Sequence, residues 1–262
     1  MPAITVNGNK LNYEEVGSGD PLIYVAGTRY DSAHAWMDYM REHAAGFRVI
    51  LPDPRGMGGS QRVPDMDPKE WISDLARVMD ALDLQRAHLC GETFGTRIIT
   101  RFAADHPERV STLILNSVIA YSYAEGDAAR RESADIGNIP PDRAESLQFH
   151  HGEGWAEVNA FYLRMHAKAE FHEFFDLRKA AGRIQAPALI IRGDVDDRPH
   201  PVAHSVELHA LIPNSWLAIY PNTEFNAFRA HPKEVWDLIR SFTKSPAAAY
   251  ARGPRPGPGR PG

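Results

Sequence analysis

The chain has 262 residues, 43% of them hydrophobic and 24% charged, enough to bury the core of one globular domain. A net charge of −5 excludes the basic footprint of a nucleic-acid binder, and no apolar run approaches the ~20 residues of a membrane helix. A single cysteine, Cys90, rules out an internal disulfide, and its place in an apolar run reads as a buried, inert thiol. The opening MPAITVNGNK lacks a basic stretch followed by an apolar one, so no secretory signal is expected and the cytoplasm is the expected compartment.

AITV and KLNYEEV flank Asn7-Gly8, a tight-hairpin signal. PLIYVAG predicts a third strand bounded by Pro21 and Gly27, HAWMDYMREHAA a helix, and RVILPD a short apolar strand. PKEWISDLARVMDALDL then sets Trp71, Leu75, Val78, Met79 and Leu82 at helical spacing behind Pro68. AHLCGE predicts a strand, FGTRIITRFAADHP a helix ending near Pro107, and STLILN a strand. From 118 to 180 the pattern loosens into polar, His-rich helical stretches. Alternation returns with PALIIRG (strand), VAHSVELHALI (helix), SWLAIY (strand) and PKEVWDLIRSF (helix). Apolar strands alternating with amphipathic helices predict a mainly parallel sheet covered on both faces. The domain plan is a core of 1–117 and 181–244, a helical lid inserted at 118–180, and a Pro/Gly/Arg-rich tail, 245–262, predicted to be disordered.

Residues 91–95 read GETFG, between a predicted strand and a predicted helix. Other segments fall into a familiar order around it. VAGTRYDSAHAW resembles the strand-end segment of the α/β-hydrolase superfamily, with Ala26 where a His is usual. PDPRGMGGS resembles that family's Asp-x-Arg-Gly-x-Gly-x-Ser turn, and its Asp53, Arg55 and Gly56 read as structural. GETFGT falls on the nucleophile elbow, and FAADHPERVSTLILNS is similar to the segment leading into the next strand. APALIIRGDVDD resembles the strand ending at the acid, and YPNTEFNAFRAHPKEVWDLIRSF the closing histidine loop and helix. The similarity runs from Ala3 to Phe242, and on these motifs in this order the chain is identified as a member of the superfamily. The resemblance implies an α/β fold with a mainly parallel eight-stranded sheet flanked by helices, a helical lid and no cofactor.

In that family a serine attacks a carbonyl, a histidine takes its proton, and an acid orients the histidine. Here the elbow residue is Thr93, whose β-branch makes positive φ costly, on the order of 1–3 kcal/mol. The acid, three residues beyond Gly193, falls on Asp196, with Asp194 and Asp197 as neighbours able to substitute. The histidine position, four beyond Pro221, holds Phe225, which cannot accept a proton. A threonine hydroxyl without an adjacent base is a poor nucleophile near neutral pH. His200, four residues after Asp196, is the best-placed substitute; His231, His150, His151, His166 and His172 are weaker ones. The adjacent His150-His151 pair reads as a solvated lid feature, so no metal site is expected.

The backbone amides of Thr28 and Phe94 fall where the family builds its oxyanion hole, and they persist there as a working hole or as scaffold. Glu92 reads either as a buried carboxylate suited to acid–base work or as an ion-pair partner of Arg29 or Arg97. Arg29 and Tyr30 offer a cation and a phenol to the cavity. Phe225 and Phe94 are expected to line it, and lid aromatics Phe149, Trp155, Phe161 and Tyr162 to make it apolar. The expected partner is a hydrophobic carbonyl-bearing small molecule, with neither nucleic acid nor membrane, and with a homodimer left open. Three functions stay open. The first is a non-hydrolytic proton-transfer reaction (cyclisation, isomerisation, elimination or C–C cleavage), in which Thr93 orients the substrate and Asp196 or Glu92 moves the proton. The second is an ester, lactone or thioester hydrolase using Thr93 with His200, and the third is a non-catalytic binder. The Ala-, Arg-, Gly- and Pro-rich composition fits a GC-rich bacterial source and natural-product biosynthesis.

Overall fold

The computed structural model describes residues 3–6, 8–27 and 32–245. Asn7 of the hairpin signal, the site candidates Thr28, Arg29 and Tyr30, and residues 246–262 of the tail lie outside the described residues. The strands are β1 (Ala3–Val6), β2 (Asn9–Gly17), β3 (Asp20–Val25), β4 (Phe47–Pro52), β5 (Ala87–Glu92), β6 (Val110–Asn116), β7 (Ala188–Gly193) and β8 (Ser215–Tyr220). They form one sheet in the order β1-β2-β4-β3-β5-β6-β7-β8. The β1–β2 and β2–β4 pairings are antiparallel and the remainder parallel. The strand order reverses around β3, so the crevice at the carboxyl ends of β3 and β5 is where such a sheet offers a site.

Helices α1 (Ala33–His43), α2 (Glu70–Ala81) and α3 (Phe94–Asp105) follow β3, β4 and β5. Between β6 and β7 the chain runs through α4 (Ala124–Ala134), α5 (Pro141–His151), α6 (Trp155–His166), α7 (Ala169–Phe174) and α8 (Arg178–Ala181). The core closes with α9 (Val202–Leu211), the short α10 (Ala227–Ala230) and α11 (Pro232–Lys244). Both sheet faces are buried, which is why the central strands are apolar at successive positions. On β3, Leu22 and Tyr24 pack with Trp36 of α1 and Trp236 of α11. Ile23 and Val25 point to the other face, with Trp71 of α2, Phe102 of α3 and Phe171 of α7.

Two elements depart from the sequence pattern. The helical spacing of the second helix runs to Leu82, but α2 stops at Ala81, and Asp83 turns to φ 54° just beyond it. α10 was not expected; the Asn226 side chain caps it by accepting the Arg229 N–H at 3.4 Å. Helices α5 and α6 are seated on the core loop before α2. The Gly58 N–H donates to His151 Nδ1 at 3.0 Å, Arg62 to the His151 carbonyl at 2.8 Å, and Arg164 to the Pro64 carbonyl at 3.0 Å. Among the described residues no helix is long and apolar enough to cross a membrane.

The Asp53–Arg55 turn is a hydrogen-bonded hub. Asp53 accepts from Asn12, the Ala33 amide and the Gly59 amide at 2.7, 2.7 and 2.8 Å. Arg55, nearly fully buried, donates to both oxygens of Asp74 and to Glu70, while Trp71 Nε1 donates to the Arg55 carbonyl at 3.1 Å. Burial pushes the Asp74 carboxyl pKa up despite Arg55, so the carboxylate depends on that partner. Truncating one member of a buried ion pair costs roughly 3–5 kcal/mol. Arg55→Met is expected to lose about that much in urea unfolding, whereas Arg48→Met, at a half-exposed pair with Glu15, should lose about 1 kcal/mol or less.

Candidate active site

β5 delivers the chain into α3 through Thr93, which sits at φ 43° and ψ −112°, outside the regions open to a β-branched residue. The turn is possible because a Cβ on Gly95 would meet the Val25 carbonyl oxygen at 2.0 Å; only a glycine lets α3 start this close to β3. The Thr93 amide donates to the Asn116 carbonyl at 3.0 Å, so the strained residue is tied to β6. Such strain, on the order of 1–3 kcal/mol, persists where surrounding structure over-determines it. The Phe94 amide is the first N–H of α3, one of those a helix leaves without an intrahelical acceptor, and it points its dipole toward the strand ends. The Phe94 ring packs under the insertion, stacked on Phe171 at 5.8 Å and edge-on to Trp71 and Phe175.

A second group is assembled by the loop after β7. Arg192, fully buried in an otherwise apolar strand, donates to the carbonyls of Gly193, Val195 and His200. This draws residues 193–200 into a tight curl. Within it Asp197 accepts the His200 amide at 2.7 Å and faces His200 Nδ1 with both oxygens, at 3.0 and 3.2 Å. Burial pushes the Asp197 carboxyl pKa up, but the His200 hydrogen bonds and the nearby Arg192 charge outweigh it and hold the pKa below the ordinary value. A carboxylate facing Nδ1 fixes the ring orientation and favours a proton on Nδ1, the tautomer that leaves the Nε2 lone pair free when the ring is neutral. The imidazole lies flat on the Phe225 ring, centroids 4.3 Å apart and planes 14° from parallel.

Asp196, the residue counted as the acid, does not take that place. It is exposed, and its carboxylate accepts the Val202 N–H at the start of α9. The positive end of α9 draws Asp196 away, while the Arg192-held curl turns Asp197 toward His200. Phe225 is positioned by close backbone contact: a Cβ on Gly193 would lie 2.0 Å from the Glu224 carbonyl oxygen and 2.1 Å from that of Thr223. Among the described residues no hydrogen bond joins the Thr93 hydroxyl to an imidazole. Two of the other histidines have partners of their own. His231 Nε2 meets Thr223 Oγ1 at 2.8 Å, and His166 packs between Tyr162 and Phe171.

Glu92 is 2% exposed and accepts from Asn226 Nδ2 at 3.0 Å; Asn226 Oδ1 in turn accepts from Asn116 Nδ2 at 2.9 Å. Ser117 Oγ donates to the Phe225 carbonyl, so β5, β6 and the Phe225 loop share one polar chain. Of the expected ion-pair partners, Arg29 lies outside the described residues, and Arg97 donates instead to the Ile119 carbonyl at 3.0 Å and Ser122 Oγ at 3.5 Å. Asn226 and Arg192 were not singled out in the sequence, and Asp197 only as a neighbour of Asp196 able to substitute. An arginine inside ALIIRG was the one signal available, since a charge in a doubly covered strand needs fixed acceptors.

Thr93, Glu92, Phe94, His200 and Phe225 all border one cavity of about 850 Å³. Its wall is more polar than the expected aromatic lining: Arg130, Arg143, Arg229 and His231 border it, with Tyr162 from α6. Phe149 is 64% exposed, and Phe161 is buried against Gly56 and Trp71 instead. Among the described residues no group of three or more His, Cys, Asp or Glu side chains is placed to hold a metal ion.

Positive charge accumulates beneath the insertion. His204 of α9 lies 3.3 Å through Nδ1 from the Ala120 amide, and its pKa is lowered to about 4 by burial first and then by Arg97, Arg130, Arg178 and Arg192. A histidine lowered in the folded state is protonated more readily when unfolded, so stability is complete above pH 6.5 and falls as pH drops toward 4. His204→Gln should flatten that acid limb in thermal unfolding scans between pH 6.5 and 4; an unchanged limb would remove His204 from the account.

Comparison with known proteins agrees with this architecture. Residues 21–166 match the family model described as alpha/beta hydrolase fold, more than half of the chain, and the protein belongs to that family. The 2-hydroxy-6-oxo-2,4-heptadienoate hydrolase of Pseudomonas putida is 28% identical over 240 residues, 83% of this chain and 86% of that one. The 2-hydroxymuconate semialdehyde hydrolase of a Pseudomonas species is 34% identical over 130 residues, 47% of this chain and 46% of its own. A solved meta-cleavage product hydrolase from Pseudomonas fluorescens superposes with a TM-score of 0.76 at 22% identity, covering 92% of this chain and 97% of that one. These similarities put the chain among α/β-hydrolase-fold enzymes.

Proposed function

We propose that the protein is an enzyme of this fold that transfers a proton on a hydrophobic, carbonyl-bearing small molecule without forming an acyl-enzyme. Cyclisation, isomerisation, elimination and C–C cleavage all belong to that class. One observation carries the reading: His200, backed by Asp197, borders the same cavity as Thr93, while no hydrogen bond connects the Thr93 hydroxyl to an imidazole among the described residues. His200 Nε2 takes and returns the proton, and Asp197 keeps the tautomer and stabilises the imidazolium. The Phe94 amide polarises the carbonyl as an enolate develops, Thr93 Oγ1 orients it, and Glu92 holds the loop that carries Phe225.

The second reading, hydrolysis with Thr93 as nucleophile, is favoured by the retained φ of 43°, which presents the hydroxyl as an elbow does, and by relatives that are named as hydrolases. Proton exchange α to the ketone of 5-oxo-5-phenylpentanoate, followed by NMR in deuterium oxide, separates the two. The wild type is expected to accelerate exchange. His200→Gln should slow it by about 10²–10⁴, the usual worth of a general base, and Thr93→Ala by far less. Covalent labelling of Thr93 by a fluorophosphonate, with no exchange activity, would overturn the proton-transfer reading in favour of the hydrolase.

A further inference from the structure

Two cavities meet at one side chain. The site cavity runs from the elbow to α4, and a second cavity of about 510 Å³ lies on the other flank of that helix, toward α6. Arg130 is the one described residue that borders both. The helical repeat explains why. At about 100° per residue, Ala129 and Ser133 fall on one flank of α4 and border the site cavity, while Asp127 and Arg131 fall on the other and border the second. Arg130, 6% exposed, lies between the two flanks. The same division recurs on α6, which touches α4 where Asn159 Nδ2 donates to the Ala134 carbonyl at 3.4 Å. Tyr162 borders the site cavity and His166 the second one, with their ring centroids 4.0 Å apart.

The outer rim of the second cavity carries the exposed Arg131, Asp135 and Ala167, so Arg130 stands between that opening and the site. Its Nη2 donates to Asp127 at 2.7 Å, which tethers the guanidinium from the second cavity's side. Nε and Nη1 are buried with no hydrogen-bond partner. Arg55 and Arg192, the buried arginines that shape the core, spend their donors on carboxylates and on three backbone carbonyls. Electrostatics give no reason for a cation at 130 either: burial first, and then the Arg130 charge, lower the Arg97 pKa to about 9. A guanidinium held at one nitrogen, beside another cation, contributes bulk here more than bonding.

We infer that Arg130 is a specificity-determining residue. Its side chain is the partition that ends the site cavity on the α4 side, and it limits the length of apolar chain that a substrate can extend from its carbonyl toward α4. The inference rests on the hydrophobic-carbonyl reading above for what occupies the cavity. No part of the fold has to move, because shortening this side chain joins the two spaces as they stand.

The test is a homologous series of phenyl ketones, acetophenone to octanophenone, bound to the full chain and followed by titration calorimetry. Each added methylene should tighten wild-type binding about fourfold while it is still buried, and the gain should stop at the member whose chain reaches Arg130. In Arg130→Ala the gain should continue past that member. Octanophenone should then bind about tenfold or more tightly than to the wild type, while acetophenone stays within about twofold. Arg131→Ala takes a charge from the same helix but borders only the second cavity, and should keep the wild-type limit. A limit unmoved in Arg130→Ala, no limit in the wild type, or a limit moved equally by Arg131→Ala overturns the inference. A crystal structure of Arg130→Ala reads the same point without ligand: one continuous space supports the partition, and two separate ones overturn it, whatever the ketones do. Should Arg130→Ala fail to fold, Arg130→Met, which removes the fork and keeps an apolar stem, takes its place in both measurements. Alkylbenzenes of matching length separate this inference from the reading beneath it. If they bind as tightly as the ketones and their limit moves in Arg130→Ala, the carbonyl reading fails and the partition stands. If the ketones are preferred and exchange their α-protons, but the limit does not move, the partition fails and the carbonyl reading stands.

Discussion

One guanidinium organises this site. Arg192 lies where β7 ends, in a strand with both faces covered, and water cannot solvate it there. It must find oxygen acceptors locally, and it finds them in three backbone carbonyls of the loop that follows. Bending 193–200 around that charge turns Asp197 inward, leaves Asp196 for the start of α9, and lays His200 on Phe225. The Asp197–His200 pair is a consequence of burying a charge in a strand, and its geometry is as rigid as those carbonyl contacts.

The elbow and the loop meet through neutral groups as well as charged ones. Asn226 links Glu92 of β5 to Asn116 of β6, and Ser117 reaches the Phe225 carbonyl. Each member of such a buried chain is expensive to remove, because its neighbours lose a partner they cannot replace with water. The strained backbone of Thr93 is thus supported from two sides: by the glycine contact that seats α3 on β3, and by its own amide bond to β6. Phe94 serves both layers, its ring under the insertion and its amide at the strand ends.

The fold was almost entirely legible in the sequence, and the reason is periodicity. Strands such as AHLCGE and SWLAIY were bounded correctly because both sheet faces need apolar residues and turns break the run. The elbow was legible because Gly95 has no alternative at its packing distance and Gly91 leaves little space for a side chain. Side-chain partnerships were not. Choosing among Asp194, Asp196 and Asp197 depends on a loop curl set by Arg192, a tertiary effect with no local signature. Likewise, the polar wall of the cavity comes from arginines on α4, α5 and α10, and the sequence does not mark which neighbour receives each charge.

The stacking of His200 on Phe225 also shapes what mutation can reach from here. Because Gly193 lies directly against the carbonyls of Thr223 and Glu224, the backbone that carries residue 225 is held close to β7. A histidine introduced there would face another histidine across the same short gap, two rings competing for one carboxylate. They could not both carry a proton without mutual repulsion. The route back to the family's usual arrangement is therefore closed to a single substitution: the resident imidazole must leave before the old one can return.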